Sequence, residues 1–190
     1  MTSAKNSFRD AIILLKKGQA SDALPIAESL IDSGDESTRL DGHVCRGMIY
    51  EDGGRDIEID LPASLDSYRR ASLIAPGSLT FLHLARVLLK MGDAAAAYRY
   101  LEASSSYGVT PELLLGFATY HEEQVPMHSE EAKHFYRRAA LRGLFSGFFG
   151  YARVSRKIGQ NGRALAMDSV RIILGPFIAL VLGGRARHQF

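Results

Sequence analysis

The sequence predicts an all-α protein, an α-solenoid of about five antiparallel helix pairs followed by an apolar C-terminal segment. Apolar residues recur at helical spacing along most of the chain, and glycine-containing breaks separate these stretches. The tetrapeptide Tyr-Arg-Arg-Ala begins at Tyr68 and again at Tyr136, 68 residues later, which is two periods of 34. A period of this length is typical of stacked helix pairs, in which each unit buries its apolar face against its neighbour.

The first predicted unit spans residues 7–34. Its first helix carries an apolar stripe at i, i+3, i+4 and i+7, formed by Phe8, Ala11, Ile12 and Leu15. Gly18 interrupts the pattern, and we expect Ser21 to cap a second helix that Gly34 closes. The same plan predicts units at 38–76 and 79–107. Pro62 suits the first turn of a helix, and Gly92 marks a tight turn.

The last two predicted units span residues 110–143 and 145–175. Thr110 followed by Pro111 combines a capping hydroxyl with a first-turn proline. We expect the final helix to stop at Gly175–Pro176, because proline breaks or kinks a helix, which leaves residues 176–190 as a separate tail. No segment alternates in the manner of a strand, so no sheet is predicted.

The repeated residues resemble the Sel1-like subset of tetratricopeptide-like repeats over about residues 40–171. That family has Leu-Gly and Tyr in its first helix, then a loop, then Ala and Tyr-x-x-Ala in its second helix. The matching positions are Gly47, Tyr50, Ala63, Tyr68, Ala71, Gly116, Ala132, Tyr136 and Ala139. The resemblance implies a right-handed superhelix that serves as a scaffold or adaptor, frequently in bacterial signalling or cell-envelope assembly, and it brings no catalytic residue.

Charge is unevenly distributed along the chain. Residues 1–131 hold 12 basic and 20 acidic residues, a net charge of −8, whereas residues 132–190 hold 11 basic residues and one acid, a net charge of +10. The basic residues singled out as a partner-binding patch are Arg137, Arg138, Arg142, Arg153, Arg156, Lys157 and Arg163. They form either a solvated face or a docking patch for an acidic protein or an anionic membrane, with nucleic acid ranked last because no aromatic residues are interleaved for stacking.

The C-terminal apolar run, residues 172–184, is too short to cross a membrane. Its 13 residues span roughly 20 Å as a helix against a hydrocarbon core of about 30 Å. We expect the run either to cap the solenoid or to form a homodimer contact, and the alternative is contact with a membrane surface. The residues predicted to form this capping or docking tail are Phe177, Ile178, Leu180, Val181 and Leu182.

No pattern in the sequence predicts catalysis, a cofactor or a metal. Phosphate-binding and nucleophile motifs are absent, and His121 is followed by a second histidine only seven residues later, beyond a proline, which does not fit His-Glu-x-x-His. We therefore read the stretch from His121 to His128 as a polar loop. Cys45 is expected to be core packing. The carboxylate pairs that begin at Glu51 and Glu122 are expected to be solvated at helix ends.

We therefore predict a non-enzymatic scaffold that binds protein partners through its repeat surface. A single cysteine permits no intrachain disulfide, and the N-terminal stretch lacks the apolar core of a signal peptide, so we expect a cytoplasmic location. The alternative is a membrane-associated accessory factor for cell-envelope or polysaccharide machinery, docked at the inner membrane by its apolar and basic C-terminus.

Overall fold

A computed structural model describes the backbone of residues 2–124 and 126–181, and the side chains of residues 7–124, 126–170 and 172. These residues contain ten α-helices and no strand, which confirms the predicted all-α repeat class. The helices are α1 Thr2–Lys16, α2 Ala20–Ile31, α3 Glu36–Asp52, α4 Leu61–Ile74, α5 Ser78–Lys90, α6 Ala94–Ser105, α7 Pro111–Glu122, α8 Ser129–Leu141, α9 Ser146–Lys157 and α10 Asn161–Val181. Leu182 and the residues after it lie outside this range.

The chain divides into two compact units, an N-terminal unit, Met1–Ser104, and a C-terminal unit, Ser105–Phe190. In the N-terminal unit each of the helices α1 to α4 packs against the next one. α5 meets α6 through the rings of Phe81 and Tyr100, whose centroids lie 5.9 Å apart. In the C-terminal unit α7, α8, α9 and α10 pack in the same consecutive manner, and α7 also contacts α9.

A cluster of buried residues, four of them alanines, joins α1, α2 and α3 of the N-terminal unit. Its members are Ala11, Ala20, Ala23, Ala27, Cys45 and Ile49. Polar side chains satisfy the free backbone amides where helices begin: Asp35 accepts a hydrogen bond from the Thr38 amide and Asp60 accepts one from the Ala63 amide. The expectation that Ser21 caps α2 is wrong, because α2 already begins at Ala20 and the Ser21 hydroxyl instead donates to Asp56.

The first helix of the C-terminal unit, α7, begins where the sequence predicted a helix start. Thr110 caps α7 by accepting a hydrogen bond from the Leu113 amide, and Pro111 is the first residue of that helix. Its core holds Ala118, Ala132, Tyr136 and Val154. Gly143, between α8 and α9, and Gly159, between α9 and α10, both have positive φ, which an L side chain rarely adopts.

The prediction that the last helix ends at Gly175–Pro176 is wrong. α10 continues through both residues to Val181. Proline removes one backbone hydrogen bond but does not by itself end a helix, and Pro25 likewise lies inside α2. Among the residues that the structure describes, no helix combines the length and apolarity needed to cross a membrane. The division of the chain into residues 1–175 and a tail of residues 176–190 stays a prediction.

Candidate functional site

Two glutamates near the ends of α3 and α7 are buried, although the sequence suggested solvated carboxylates there. Glu51 is 1% exposed and Glu122 is 7% exposed. The acidic neighbours of these residues, Asp52 and Glu123, are exposed as expected. A buried carboxylate is tolerated only when charged or hydrogen-bonding partners compensate for the water it has lost. The surroundings of each glutamate therefore decide what it does.

In the N-terminal unit Glu51 receives hydrogen bonds from two other helices. The Tyr68 hydroxyl, on α4, donates to Glu51 Oε2 at 3.0 Å. Arg86, on α5, donates to both carboxylate oxygens, Nε to Oε1 at 2.5 Å and Nη2 to Oε2. Lys90, one turn further along α5, lies 2.9 Å from Oε1 and also bonds to the exposed Asp52. One carboxylate thus joins α3, α4 and α5.

The C-terminal unit repeats this arrangement atom for atom. The Tyr136 hydroxyl, on α8, donates to Glu122 Oε2 at 2.5 Å. Arg153, on α9, donates from Nε to Oε1 and from Nη2 to Oε2, each at 2.6 Å. Lys157 Nζ lies 2.8 Å from Oε1. We call each set of glutamate, tyrosine, arginine and lysine an inter-helix cluster, because it links three consecutive helices of its unit.

The two clusters differ in what packs on the tyrosine ring. His83 stacks on Tyr68 with ring centroids 4.6 Å apart and planes 8° from parallel. The residue at the same place in α9, three positions before the arginine, is Gly150, and a Cβ there would lie 2.2 Å from the Tyr136 ring. The second ring therefore lies directly against the backbone of α9. In the first cluster Gly47 also lies close to the Tyr68 ring, since a Cβ there would lie 2.5 Å from it.

The clusters hold their glutamates ionised. Burial alone would raise the pKa of Glu122, but hydrogen bonds from Arg153, Lys157 and Tyr136 outweigh it and lower that pKa to about 2. Burial and the neighbouring carboxylate raise the pKa of Tyr136 to about 12, so its hydroxyl stays a donor. Glu51 shows the same balance: burial opposes ionisation, and the bonds from Arg86 and Lys90 still lower its pKa below the ordinary value.

The pKa values and hydrogen bonds of the two inter-helix clusters are those of a structural contact between helices. A general acid or base needs a pKa near the working pH, whereas these carboxylates are held far below it and the phenols above it. Every carboxylate oxygen in the two clusters already accepts hydrogen bonds from within the protein. The cluster residues therefore fix the packing of consecutive helices.

Most residues of the predicted basic patch make hydrogen bonds or ion pairs within the protein. Arg153 and Lys157 belong to the C-terminal cluster, and Arg156 pairs with Asp168. Arg142 donates to the Val109 carbonyl at 2.8 Å and Arg163 donates to Gln160 at 3.2 Å; both acceptors are neutral, so both charges remain. Arg137 is exposed on α8 and Arg138 is half-buried there. The role of the patch stays a prediction.

The residues that carried the repeat resemblance lie mainly inside the units. Tyr68, Ala71, Ala132, Tyr136 and Ala139 are buried. Gly47 is buried against the Tyr68 ring, and the partly exposed members are Tyr50, Ala63 and Gly116. Of the predicted tail, residues 177–181 have a helical backbone in α10 and Leu182 lies outside the described residues.

Cys45 is fully buried in the core of the N-terminal unit. Burial, together with the charge of Asp41, raises the pKa of its thiol to about 12, so it is held in the unreactive protonated form. Within the described parts of the chain, no three His, Cys, Asp or Glu side chains are grouped so as to hold a metal ion.

We expect the inter-helix cluster of Glu51 to make the free energy of unfolding depend on pH in the acid range. Because the folded pKa of Glu51 lies below the ordinary value of 4.5, its ionisation stabilises the fold above that pH, and this contribution is lost as the pH falls through the folded pKa. The difference in unfolding free energy between the wild type and Glu51→Gln should therefore be largest near neutrality and shrink below pH 4.5. Urea unfolding followed by circular dichroism at a series of pH values measures it. A difference in unfolding free energy that stays constant down to the lowest pH would contradict a stabilising role for the ionised Glu51.

Comparison with known proteins supports the fold and goes no further. No family model matches the chain, and no curated protein matches its sequence. Among solved structures, the crystal structure of MamA protein is similar, with a TM-score of 0.58, 10% sequence identity, and coverage of 89% of this chain and 90% of that chain. At this identity the likeness shows the fold alone, an all-α stack of consecutive helices.

Proposed function

We propose that this chain is a non-enzymatic scaffold of the Sel1-like kind that binds a protein partner through the surface of its repeats, in the cytoplasm. The observation that carries the proposal is the duplicated inter-helix cluster. The two buried glutamates would be the first candidates for acid–base chemistry. Each of them instead links helices of its own unit through hydrogen bonds. Stacked helix pairs commonly bind a partner through the surface of consecutive repeats.

The basic residues of the C-terminal unit are the proposed contact for an acidic partner. Arg137 and Arg138 are the second and third residues of the repeated tetrapeptide, on α8, and no acidic residue follows them until Asp168. Arg142 lies one turn further along the chain and is exposed. These arginines lie at and just beyond the C-terminal end of α8, whose first turn carries Glu130 and Glu131. A local excess of positive charge attracts an oppositely charged surface and speeds its association, over a range of about 8 Å at physiological salt.

The repeated tetrapeptide supplies a matched test. Arg137→Glu/Arg138→Glu reverses the charge at the proposed contact, and Arg69→Glu/Arg70→Glu makes the same change at the corresponding positions of α4. Full-length wild type and both variants would be used as bait in cells of the native source, and the co-purifying proteins quantified by mass spectrometry. The proposal predicts an acidic partner near stoichiometry with the wild type and the α4 variant, and its loss from the α8 variant. Equal capture by all three baits contradicts the proposed contact.

Exposed apolar residues on α10 favour a second proposal, peripheral contact with a membrane. Leu165 is 68% exposed and Ile172 is 67% exposed, and seven residues separate them, so both lie on one side of the helix. Flotation of the full chain with vesicles of mixed neutral and anionic phospholipid tests this proposal against Leu165→Ser/Ile172→Ser. Binding by the wild type and its loss in the variant would support membrane contact, and failure of the wild type to float with the vesicles would contradict it.

A further inference from the structure

The connection between α7 and α8 brings two histidines of the C-terminal unit together. His121 lies one residue before the end of α7, and His128 is the N-cap residue of α8. Their Nδ1 atoms are 3.2 Å apart, although seven residues separate them in the sequence. The sequence pattern gave no reason to pair them, because side chains that touch along one helix are three or four positions apart.

Neighbouring rings hold His121 in place. It stacks on Phe135 of α8 with centroids 5.5 Å apart and planes 5° from parallel. The edge of Tyr120 contacts it at 5.1 Å between centroids. The ring is thus oriented by its neighbours on both helices.

The separation of the two nitrogens is that of two ligands on one metal ion. Imidazole nitrogens bind zinc at about 2.0–2.1 Å, so two of them at a tetrahedral angle lie about 3.3 Å apart. We propose that His121 and His128 bind one divalent transition-metal ion of the zinc or copper type through their Nδ1 atoms. Imidazole suits these ions, whereas magnesium and calcium prefer oxygen. Water completes the coordination, because the protein supplies two ligands.

The contact between the two rings can change to metal binding by a change of tautomer. A hydrogen bond across the 3.2 Å contact needs one Nδ1–H donor and one Nδ1 acceptor. Metal binding needs both Nδ1 lone pairs, so the ring that carried its proton on Nδ1 must carry it on Nε2 instead. The ion would tie the end of α7 to the start of α8, next to the inter-helix cluster of Glu122. The proposal does not depend on the scaffold function.

Metal titration of the untagged full-length protein tests the proposal. Zn²⁺ and, separately, Cu²⁺ are added and binding is followed by isothermal titration calorimetry. The informative variant is His128→Asn, because asparagine is a favoured N-cap residue and preserves the start of α8 while removing the ligand. His121→Ala is the second variant. His134→Ala is the matched control, since His134 is exposed on the same helix α8 and lies outside the pair.

We expect saturable binding of one ion by the wild type and by His134→Ala, and affinity weaker by about tenfold or more in both pair variants, because each removes one of two protein ligands. The electron paramagnetic resonance spectrum of the copper-loaded wild type should show two nitrogen ligands, and that of His128→Asn should show fewer. Added zinc should raise the melting temperature of the wild type and leave that of His128→Asn unchanged. Absence of saturable binding to the wild type, or equal binding by His128→Asn with unchanged helix content, would overturn the proposal.

Discussion

Replacing Glu122 by alanine is expected to lower the free energy of unfolding by about 2–3 kcal/mol. The change removes the acceptor for Tyr136, Arg153 and Lys157 together. It leaves the buried tyrosine hydroxyl without its bond to the carboxylate. The loss falls short of the roughly 3–5 kcal/mol typical of a fully buried ion pair, because both basic side chains are about half exposed and water can solvate them.

The chain provides a control next to each buried glutamate. Glu123→Ala and Asp52→Ala remove exposed carboxylates one residue away, and each should change stability by about 0.5 kcal/mol or less. Glu51→Ala should behave like Glu122→Ala, since its carboxylate has equivalent partners in the N-terminal unit. Urea unfolding followed by circular dichroism measures all four variants. Equal losses from the buried and exposed carboxylates would show that the clusters do not stabilise the helix packing.

Gly147→Ala is expected to destabilise the C-terminal unit by about 2–3 kcal/mol. A Cβ at this position of α9 would lie 2.4 Å from the Tyr136 carbonyl oxygen and 2.7 Å from the Ala140 amide nitrogen. Both atoms belong to the backbone of α8, so no side-chain rotation relieves the contact and the two helices must separate. Separation also lengthens the hydrogen bonds of the cluster that Arg153 makes from α9.

A glycine-to-alanine substitution at Gly162 should instead raise the free energy of unfolding. Gly162 lies in the first turn of α10, and a Cβ there meets no atom within 4 Å. Alanine restricts the unfolded chain and favours helix, so Gly162→Ala should stabilise the protein by about 0.5–1 kcal/mol. Thermal and urea unfolding of Gly147→Ala, Gly162→Ala and the wild type measures both changes in stability. A mild effect of Gly147→Ala, comparable to that of Gly162→Ala, would mean that α8 and α9 do not approach as closely as described.

The helix pairs could be predicted from the sequence because their signals are local. Apolar spacing and first-turn prolines act within one or two turns, and the glycines at the turns supply backbone conformations that other residues avoid. Gly18, Gly92 and Gly159 all have positive φ between consecutive helices. The end of α10 was missed because proline weakens a helix without determining where it stops.

The inter-helix clusters were missed because their partners lie far apart in the sequence. Arg86 is 35 residues from Glu51, and Arg153 is 31 residues from Glu122. A signal was nevertheless present. An arginine followed four residues later by a lysine occurs at Arg86 and again at Arg153, 67 residues later, close to the 68-residue spacing of the two tyrosines. Repeated charged residues with the period of the apolar repeat indicate structural partners, and they would have pointed to the buried glutamates.

The pairing of His121 with His128 was missed for a different reason. Motif reasoning compares spacings along one helix, and these residues lie on either side of a connection that reverses the chain direction. Spacing in sequence carries no information about distance across such a connection. Only the packing of α7 against α8, seen in the stacking of His121 on Phe135, brings the two rings together.

Double-mutant cycles test the central claim, that buried glutamates join consecutive helices in both units, most directly. The cycles combine Glu122→Ala with Arg153→Ala and Glu51→Ala with Arg86→Ala, and the control cycle combines Glu123→Ala with Arg153→Ala. Each coupling is measured as the non-additive part of the unfolding free energy. The claim predicts couplings of about 1 kcal/mol or more in both glutamate–arginine cycles and close to zero in the control. Couplings near zero in both units would contradict it.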